Sequence, residues 1–464
     1  MARVDGMDQE SLFGSGRAAL CVGVVISVSL IAFEAMSVAT VMPVVSEALG
    51  GLSGYGWAFS AFMLANVVGT IATGQAADAR GPSLPFVAGL AFAAAGLLVA
   101  GLATSWSTFI VGRALQGLGG GALMTTGYLT VRLGFPDHLR AKVMALISSA
   151  WVIPALVGPA VAGILATHAS WRLVFLGLLP LLALVPVLML PSLRRLETSA
   201  QRDRLDLRML LRAVQIAAGI GILLFGLSQH AWHGAALAAI GVAIAAEASR
   251  HLLPAGTLRA RRGLPAGLLT RGLLGFCWFG AEAFLPLGLM SLRGLSPSGA
   301  GIALSAAACT WFAGTWLSAR IDGVWGSDRR SARAIVGFAV VVRGIAATAA
   351  SVLVEAVPVP IAIACWALAA LGMGLVYPTL SVIVLGLAPA GEEGRTSSSL
   401  NLAENLGIAM GAGFAGAAVD WTNAFGWTQH GSIGAAYLIA ILPGLLGIAT
   451  AFRLAPAAMR RLAR

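Results

Sequence analysis

The chain has 464 residues, 58% of them hydrophobic and only 11% charged, with a mean hydropathy of +0.87. These values exclude an ordinary soluble multidomain protein and leave a polytopic membrane protein. A net charge of +11 would suggest nucleic acid in a soluble chain; here the position of each basic residue matters more than the sum, because Lys and Arg favour cytoplasmic loops, and no nucleic-acid partner is expected.

Residues 1–17 read as a short polar cytoplasmic segment. The first apolar run, Ala18 to Met42, is too long for a signal-peptide core and carries Glu34, so it reads as a retained span. Further runs of about 20 residues, enough to cross ~30 Å of hydrocarbon as helix, lie near 56–77, 84–104, 107–131, 143–166 and 172–191. A basic connector over 192–210 follows, with Arg194, Arg195, Arg202, Arg204 and Arg208, and Arg212 just beyond it. Two more runs, 211–229 and 234–253, are separated by the polar tip HAWHG and form a hairpin. A second basic loop, centred on 254–264, is read to hold Arg250, Arg259, Arg261, Arg262 and Arg271. Runs near 270–290, 299–320, 333–356, 359–386, 397–420 and 434–455 complete fourteen spans, before a cytoplasmic tail over 456–464. Under this topology only Arg172 and Arg293, of 30 Lys and Arg residues, fall in loops on the far side, and only Arg113 and Arg343 fall within spans. Both termini are therefore expected in the cytoplasm. Cys21, Cys277, Cys309 and Cys365 all lie in apolar runs, so no disulfide framework is indicated.

Internal repetition shows where the hairpin belongs. FEAM at Phe33 to Met36 matches AEAF at Ala281 to Phe284, which pairs Glu34 with Glu282. GQAAD ending at Asp78 matches SARID ending at Asp322, and ALQGLGGGALM from Ala114 matches ALAALGMGLVY from Ala367. The matches keep their order, at offsets of 248, 244 and 253 residues, and fall on equivalent spans only if the hairpin is skipped. The expected architecture is a six-helix bundle over 18–191, a hairpin inserted over 211–253, and a second six-helix bundle over 265–455.

With these motifs in place the chain resembles the major facilitator superfamily, and more narrowly its fourteen-span drug:proton antiporter branch. FEAMSVATVMP (Phe33 to Pro43) resembles that branch's LDxTIVNVALP signature, with Glu34 at the acidic position and Ala39 in place of the asparagine. GQAADARGPS resembles the cytoplasmic GxxxDRxGRR loop, in which a carboxylate and arginines latch adjacent helix ends. Gly74, Asp78 and Gly81 match it, Arg80 is displaced by one place, and Ala79 and Pro82 replace arginines, which implies a weakened or rebuilt gate. The alternative for Asp78 is an ordinary helix-terminal charge. Arg113, Gln116, Gly117 and Gly119 match the RxxQGxG pattern, which places an arginine within reach of the proton-coupling acid. A guanidinium at membrane depth costs at least ~2.5 kcal/mol and needs a partner or a wet cavity, so a structural tether between helices is the other reading of Arg113. PALVGPAVAG resembles the antiporter motif with core GPxxGG: Gly158, Pro159 and Gly163 match, Ala162 replaces a glycine, and Pro154 adds a second kink. In the family that motif goes with export rather than uptake; a kinked packing helix without directional meaning is the alternative.

Burial favours the neutral form of a carboxyl and a nearby arginine favours the charged form, so Glu34, Glu282 and Glu404, all inside apolar runs, could take up or release protons. The main candidates for coupling are Glu34, with Arg113, and Glu282. Either carboxylate could instead bind a cationic substrate, and competition between substrate and proton for one group would couple them. Glu404 is explained equally well by a hydrogen bond within a bundle, and Arg343 by snorkelling or a structural ion pair. Gln116, Trp151, Trp278 and Trp311 are candidate substrate contacts; Trp57, Phe62 and Trp366 also lie in cavity-side runs, where aromatic rings can stack on cationic compounds, although most such residues serve packing. His230 and His233 alone make no metal site. No GxxxxGK[ST] loop is present, so the energy source is expected to be the proton gradient, with no cofactor.

The resulting reading is an all-α major facilitator fold working as a proton-coupled exporter of small amphipathic, lipophilic or cationic compounds. A single chain is expected to suffice, in the cytoplasmic membrane of a bacterium whose GC-rich genome would explain Lys142 as the sole lysine. Two rival readings are an exporter of a lipid or endogenous metabolite, and a non-transporting sensor or assembly partner with the same fold. No nucleophile, metal cluster or catalytic acid pair supports an enzyme.

Overall fold

The computed structural model describes residues 17–196, 206–325 and 329–454. The segments 1–16 and 455–464, and Arg202 and Arg204 of the connector, lie outside the described residues. Helices in lipid satisfy their backbone groups internally, and the described chain forms fourteen long helical segments: α1 (Arg17–Leu49), α2 (Trp57–Arg80), α3 (Ser83–Gly101), α4 (Trp106–Gly134), α5 (Asp137–His168), α6 (Arg172–Leu196), α7 (Leu207–Leu227), α8 (Trp232–Leu252), α9 (Leu264–Ser291), α10 (Pro297–Trp325), α11 (Arg330–Leu353), α12 (Val359–Gly386), α13 (Glu393–Ala424) and α14 (Gln429–Ala451). Thirteen are long and apolar enough to cross a membrane by length and composition alone. The fourteenth, α4, is 29 residues long but carries Arg113, Gln116 and a glycine run, which lower its hydropathy.

The two bundles repeat one packing scheme. In the first, α4 packs on α2 and α3, and α1 packs on α5 and α6; in the second, α12 packs on α10 and α11, and α9 packs on α13 and α14. The glycines of the repeated motif explain the correspondence. A Cβ on Gly119 would run into Ala93 of α3 and one on Gly372 into Val341 of α11, while Gly121 faces the Asn66 carbonyl of α2 and Gly374 the Trp311 carbonyl of α10. Bare glycine backbone lets paired helices approach closely, and packing of this kind drives association where lipid offers no hydrophobic gain.

Fourteen crossings leave Arg17 and Ala451 on one face, the terminal face; the opposite face is the far face. The bundles meet through α2 with α13, α5 with α10, and α1 with α9. Pro154 and Pro159 shape the α5 contact. Proline lacks an N–H, so Pro154 frees the Ala150 carbonyl, where α5 is interrupted between Ser149 and Val152, and Ser29 of α1 donates to that carbonyl at 3.2 Å. Beyond the break, Ala160 N–H donates to Ser305 Oγ of α10 at 3.2 Å. Gly163 lies against the Pro297 carbonyl and Gly301 against the Pro159 carbonyl, both too close for a side chain. Ser298 Oγ is 2.8 Å from Thr167 Oγ1. On the other seam, Ser60 Oγ donates to the Ala409 carbonyl at 2.7 Å, and Asn405 Nδ2 donates to Asn66 Oδ1 at 3.1 Å. Every hydrogen bond between the bundles, among the described residues, lies in the far half or near mid-depth. The far side is closed. Towards the terminal face, Tyr128 of α4 is 41% exposed.

The hairpin α7–α8 covers the α2–α13 seam from outside. Ile216, Ile220 and Leu224 of α7 form a small apolar cluster with Leu64 and Val67 of α2 and Leu406 and Ala409 of α13. Its tip is tied to the end of α13: Trp421 Nε1 donates to the Leu227 carbonyl at 2.5 Å, and His230 Nε2 lies 3.3 Å from the Asp420 carbonyl. Asp420 Oδ1 in turn accepts the Gly54 N–H of the α1–α2 loop at 3.0 Å. One carboxylate thus joins the first bundle to α13, whose end also holds the hairpin tip.

Candidate functional site

Glu34 on α1 and Arg113 on α4 meet inside the first bundle. Arg113 Nη1 lies 2.5 Å from Glu34 Oε1, donates to Gln116 Oε1 at 2.8 Å, and the Arg113 Nε donates to the Ala58 carbonyl of α2 at 2.9 Å. Its guanidinium carbon stands 4.4 Å from the centroid of the Phe62 ring. Arg113 is 3% exposed, Glu34 8% and Gln116 1%. An arginine has only donors, so a carboxylate, an amide oxygen, a carbonyl and a ring face together satisfy a cation that lipid could not accept. Gly117, pressed against the Phe62 carbonyl, draws α2 close enough to supply the last two.

Glu282 on α9 is half-buried and forms no ion pair among the described residues. The motif offset explains why: Arg113 maps onto Trp366, which stacks on Trp278 at 4.3 Å between centroids, with Trp311 edge-on at 5.4 Å from Trp278. Trp278 and Trp366 are fully buried, so they support the wall of the second bundle, whereas Trp151 and Trp311 are half-buried. Trp57 packs near the hairpin cluster.

A second buried ion pair corrects the sequence reading of Arg271. That residue is not in the basic loop: α9 begins at Leu264, which places Arg271 two turns inside the helix and 3% exposed. Its Nη2 and Nε donate to Glu404 Oε2 at 2.9 and 3.1 Å, and its Nη1 to the Tyr377 carbonyl at 3.1 Å. The guanidinium lies 3.3 Å from the Tyr377 ring centroid, and Tyr377 Oη donates to Glu404 Oε2 at 3.3 Å. Glu404 thereby acquires a partner that its sequence neighbourhood did not suggest.

The latch residues divide unevenly between the repeats. Gly81 ends α2 with φ +86°, a conformation that favours glycine, and Gly74 has open space around it. Asp78 and Arg80 are exposed and form no ion pair among the described residues. In the second bundle the equivalent Asp322 Oδ1 is held by Arg333 Nη2 at 2.5 Å and Arg330 Nε at 3.1 Å, and Arg333 Nε also donates to Thr379 Oγ1 at 3.1 Å. Of the α5 motif, Gly158 faces Ser37 of α1 and Gly163 faces α10. Arg343 lies exposed on α11, without an ion pair among the described residues. His230 touches the end of α13, while His233 stays beside Trp232.

The family model described as Major Facilitator Superfamily matches residues 24–342. The probable multidrug-efflux transporter Rv1634 of Mycobacterium tuberculosis (strain ATCC 25618 / H37Rv) is 27% identical over 417 residues, covering 85% of this chain and 86% of that protein. The multidrug efflux pump SdrM of Staphylococcus aureus (strain N315) is 22% identical, covering 82% and 85%. The multidrug transporter protein MdtP of Bacillus subtilis (strain 168) is 27% identical, but the match spans 62% of this chain and 55% of that protein. Among solved structures, the peptide transporter PepTSo superposes with a TM-score of 0.68 at 13% identity, over 94% of this chain and 98% of that one. A D-xylose-proton symporter gives 0.65 at 15% identity, over 95% and 98%; both likenesses show the fold alone. The chain belongs to the Major Facilitator Superfamily and is a multi-pass integral membrane protein of the secondary-transporter class.

Proposed function

We propose that this transporter is a proton-coupled exporter of small amphipathic, lipophilic or cationic compounds, working by alternating access within a single chain. The observation that carries the reading is the Glu34–Arg113 pair: a protonatable carboxyl held by a fixed cation, inside the bundle and beneath a closed far face. Protonation of Glu34 cancels the charge that Arg113 holds, and deprotonation restores it, so the bundle has two electrostatic states that one proton interconverts. A cation arriving between the bundles competes with that proton for negative charge. The similarity to proteins named as multidrug efflux pumps supports the substrate class, and the α5 motif supports the direction. The bias of Lys and Arg supports a cytoplasmic terminal face; with that orientation, in a bacterial inner membrane, this conformation is inward-facing. In this reading Asp322, Arg330 and Arg333 do the latching for which Asp78 and Arg80 have no ion-pair partner among the described residues.

Purified protein in proteoliposomes tests the reading. An imposed pH gradient should drive a fluorescent lipophilic cation against its own gradient, a protonophore should abolish the accumulation, and Glu34→Gln should lose it while still exchanging substrate down a gradient. Accumulation that persists in Glu34→Gln would refute the assignment.

A further inference from the structure

We infer that a single water molecule occupies a site beside Glu34, bridging its carboxyl to Gln116 Nε2, and that this water, on the side away from the second bundle, is the immediate proton donor and acceptor of Glu34. The inference rests on the proton-coupled reading above for its role in transport, and on geometry alone for its existence. A cavity of about 20 Å³ lies among α1, α3, α4 and α6, lined by Glu34, Gln116, Leu30, Leu97, Leu123 and Leu182 among others. That volume suits one water, provided polar groups face it.

Two groups do. Gln116 is 1% exposed, and its Nε2 is a buried donor with no acceptor among the described residues. The amide cannot be turned round, because its oxygen accepts from Arg113 Nη1 and an arginine offers only donors. An unsatisfied buried donor costs about 1–3 kcal/mol, and a bridging water removes most of that cost. The second group is Glu34, whose Oε1 takes the same Nη1 while its other oxygen is engaged by no hydrogen bond among the described residues. Sharing one Arg113 nitrogen keeps the two head groups side by side, and both residues line the cavity.

The direction of access follows from which helices surround each side of the carboxyl. Arg113 is anchored towards α2 through Ala58 and Phe62, and α2 meets the second bundle. The cavity lies on the α3–α6 side and takes no residue from the second bundle. When Glu34 ionises, its O–H electron pair stays on the carboxylate held by Arg113, and the proton moves to the oxygen of the bridging water. The hydronium so formed gives a proton to a further solvent water. Proton and cationic substrate thus approach Glu34 from opposite sides, and the Arg113–Glu34 contact reports one to the other.

X-ray radiolytic hydroxyl labelling of the full-length protein in nanodiscs tests the site, because radicals formed from bound water oxidise the side chains around it. Leu30 and Leu97, 9% and 4% exposed, should be labelled well above Leu287, which at 6% is shielded to a similar degree but does not line this cavity. Labelling at Leu30 should fall to the Leu287 level in Gln116→Leu and in Leu97→Phe, which fills the space. Wild-type labelling no higher than at Leu287, or labelling at Leu30 unchanged in both variants, overturns the site. For the role, Leu97→Phe should bind a lipophilic cation as wild type does yet release protons more slowly on binding it; release at the wild-type rate overturns the assigned path. A wild-type protein that is labelled at Leu30 and Leu97 but releases no proton with any substrate leaves the water site standing and removes the antiport reading.

Discussion

The closed far face depends on two glycines of the α5–α10 contact, and Gly163→Val tests that dependence. A Cβ at Gly163 meets the Pro297 carbonyl of α10 closer than atoms tolerate, and the reciprocal Gly301 meets the Pro159 carbonyl. Both obstacles are backbone, so neither can rotate away. Overpacking of this sort costs about 1–3 kcal/mol, and the cost falls on the closed state alone, since the contact is absent when the far ends separate. A differential of that size shifts a two-state equilibrium about 5- to 150-fold. The assay is alkylation of a cysteine placed at Ser305, behind the seal, by a membrane-impermeant maleimide applied from the far face, in a background lacking the four native cysteines. The labelling rate should rise by a factor within that range in Gly163→Val, and again in Gly301→Val. A folded, monodisperse Gly163→Val protein with an unchanged rate would refute the argument that this contact holds the face shut.

Removing one member of a buried ion pair strands the other, at about 3–5 kcal/mol, so Arg113→Ala should lower the thermal midpoint sharply and Glu34→Gln added to it should restore much of the loss; additive effects would show that the two residues are not coupled. Arg271→Ala should destabilise comparably, whereas Arg395→Ala, whose pair with Glu392 at 3.9 Å is exposed, should leave the midpoint unchanged. Equal midpoints for the two arginine variants would contradict the burial of the Arg271–Glu404 pair. Asp322→Asn should slow transport far more than Asp78→Asn, because of these two only Asp322 holds arginines among the described residues; the reverse ranking in a vesicle efflux assay would return the latch to the first bundle.

Much of this was legible where chemistry is local. Periodic apolar runs located fourteen helices, and the repeated motifs predicted which pairs would correspond, because Gly119 and Gly372 are read the same way by any neighbouring helix. Arg113 declared itself because a cation within an apolar run needs a partner, and Gln116 lies one turn from it. What stayed hidden depended on distant segments. Arg271 lay at the edge of an apolar run, where counting basic residues assigns it to a loop; the helix begins six residues earlier than that run, at Leu264, and so carries Arg271 inside the bundle. Its partner Glu404 is 133 residues away, with no spacing rule to link them. Trp278 reads as a substrate contact by type, yet it stacks on Trp366 inside the wall, and nothing in the sequence distinguishes an aromatic facing a cavity from one behind it. Asp420 lay near a span end and looked unremarkable until the hairpin tip and the Gly54 loop converged on it.

Proton release from purified, weakly buffered protein on addition of a lipophilic cation tests the central claim most directly. Wild type should release protons as the cation binds, Glu282→Gln should retain release from Glu34, and Glu34→Gln should bind the cation without release. Binding without release in wild type, or undiminished release in Glu34→Gln, would contradict coupling at the Glu34–Arg113 pair.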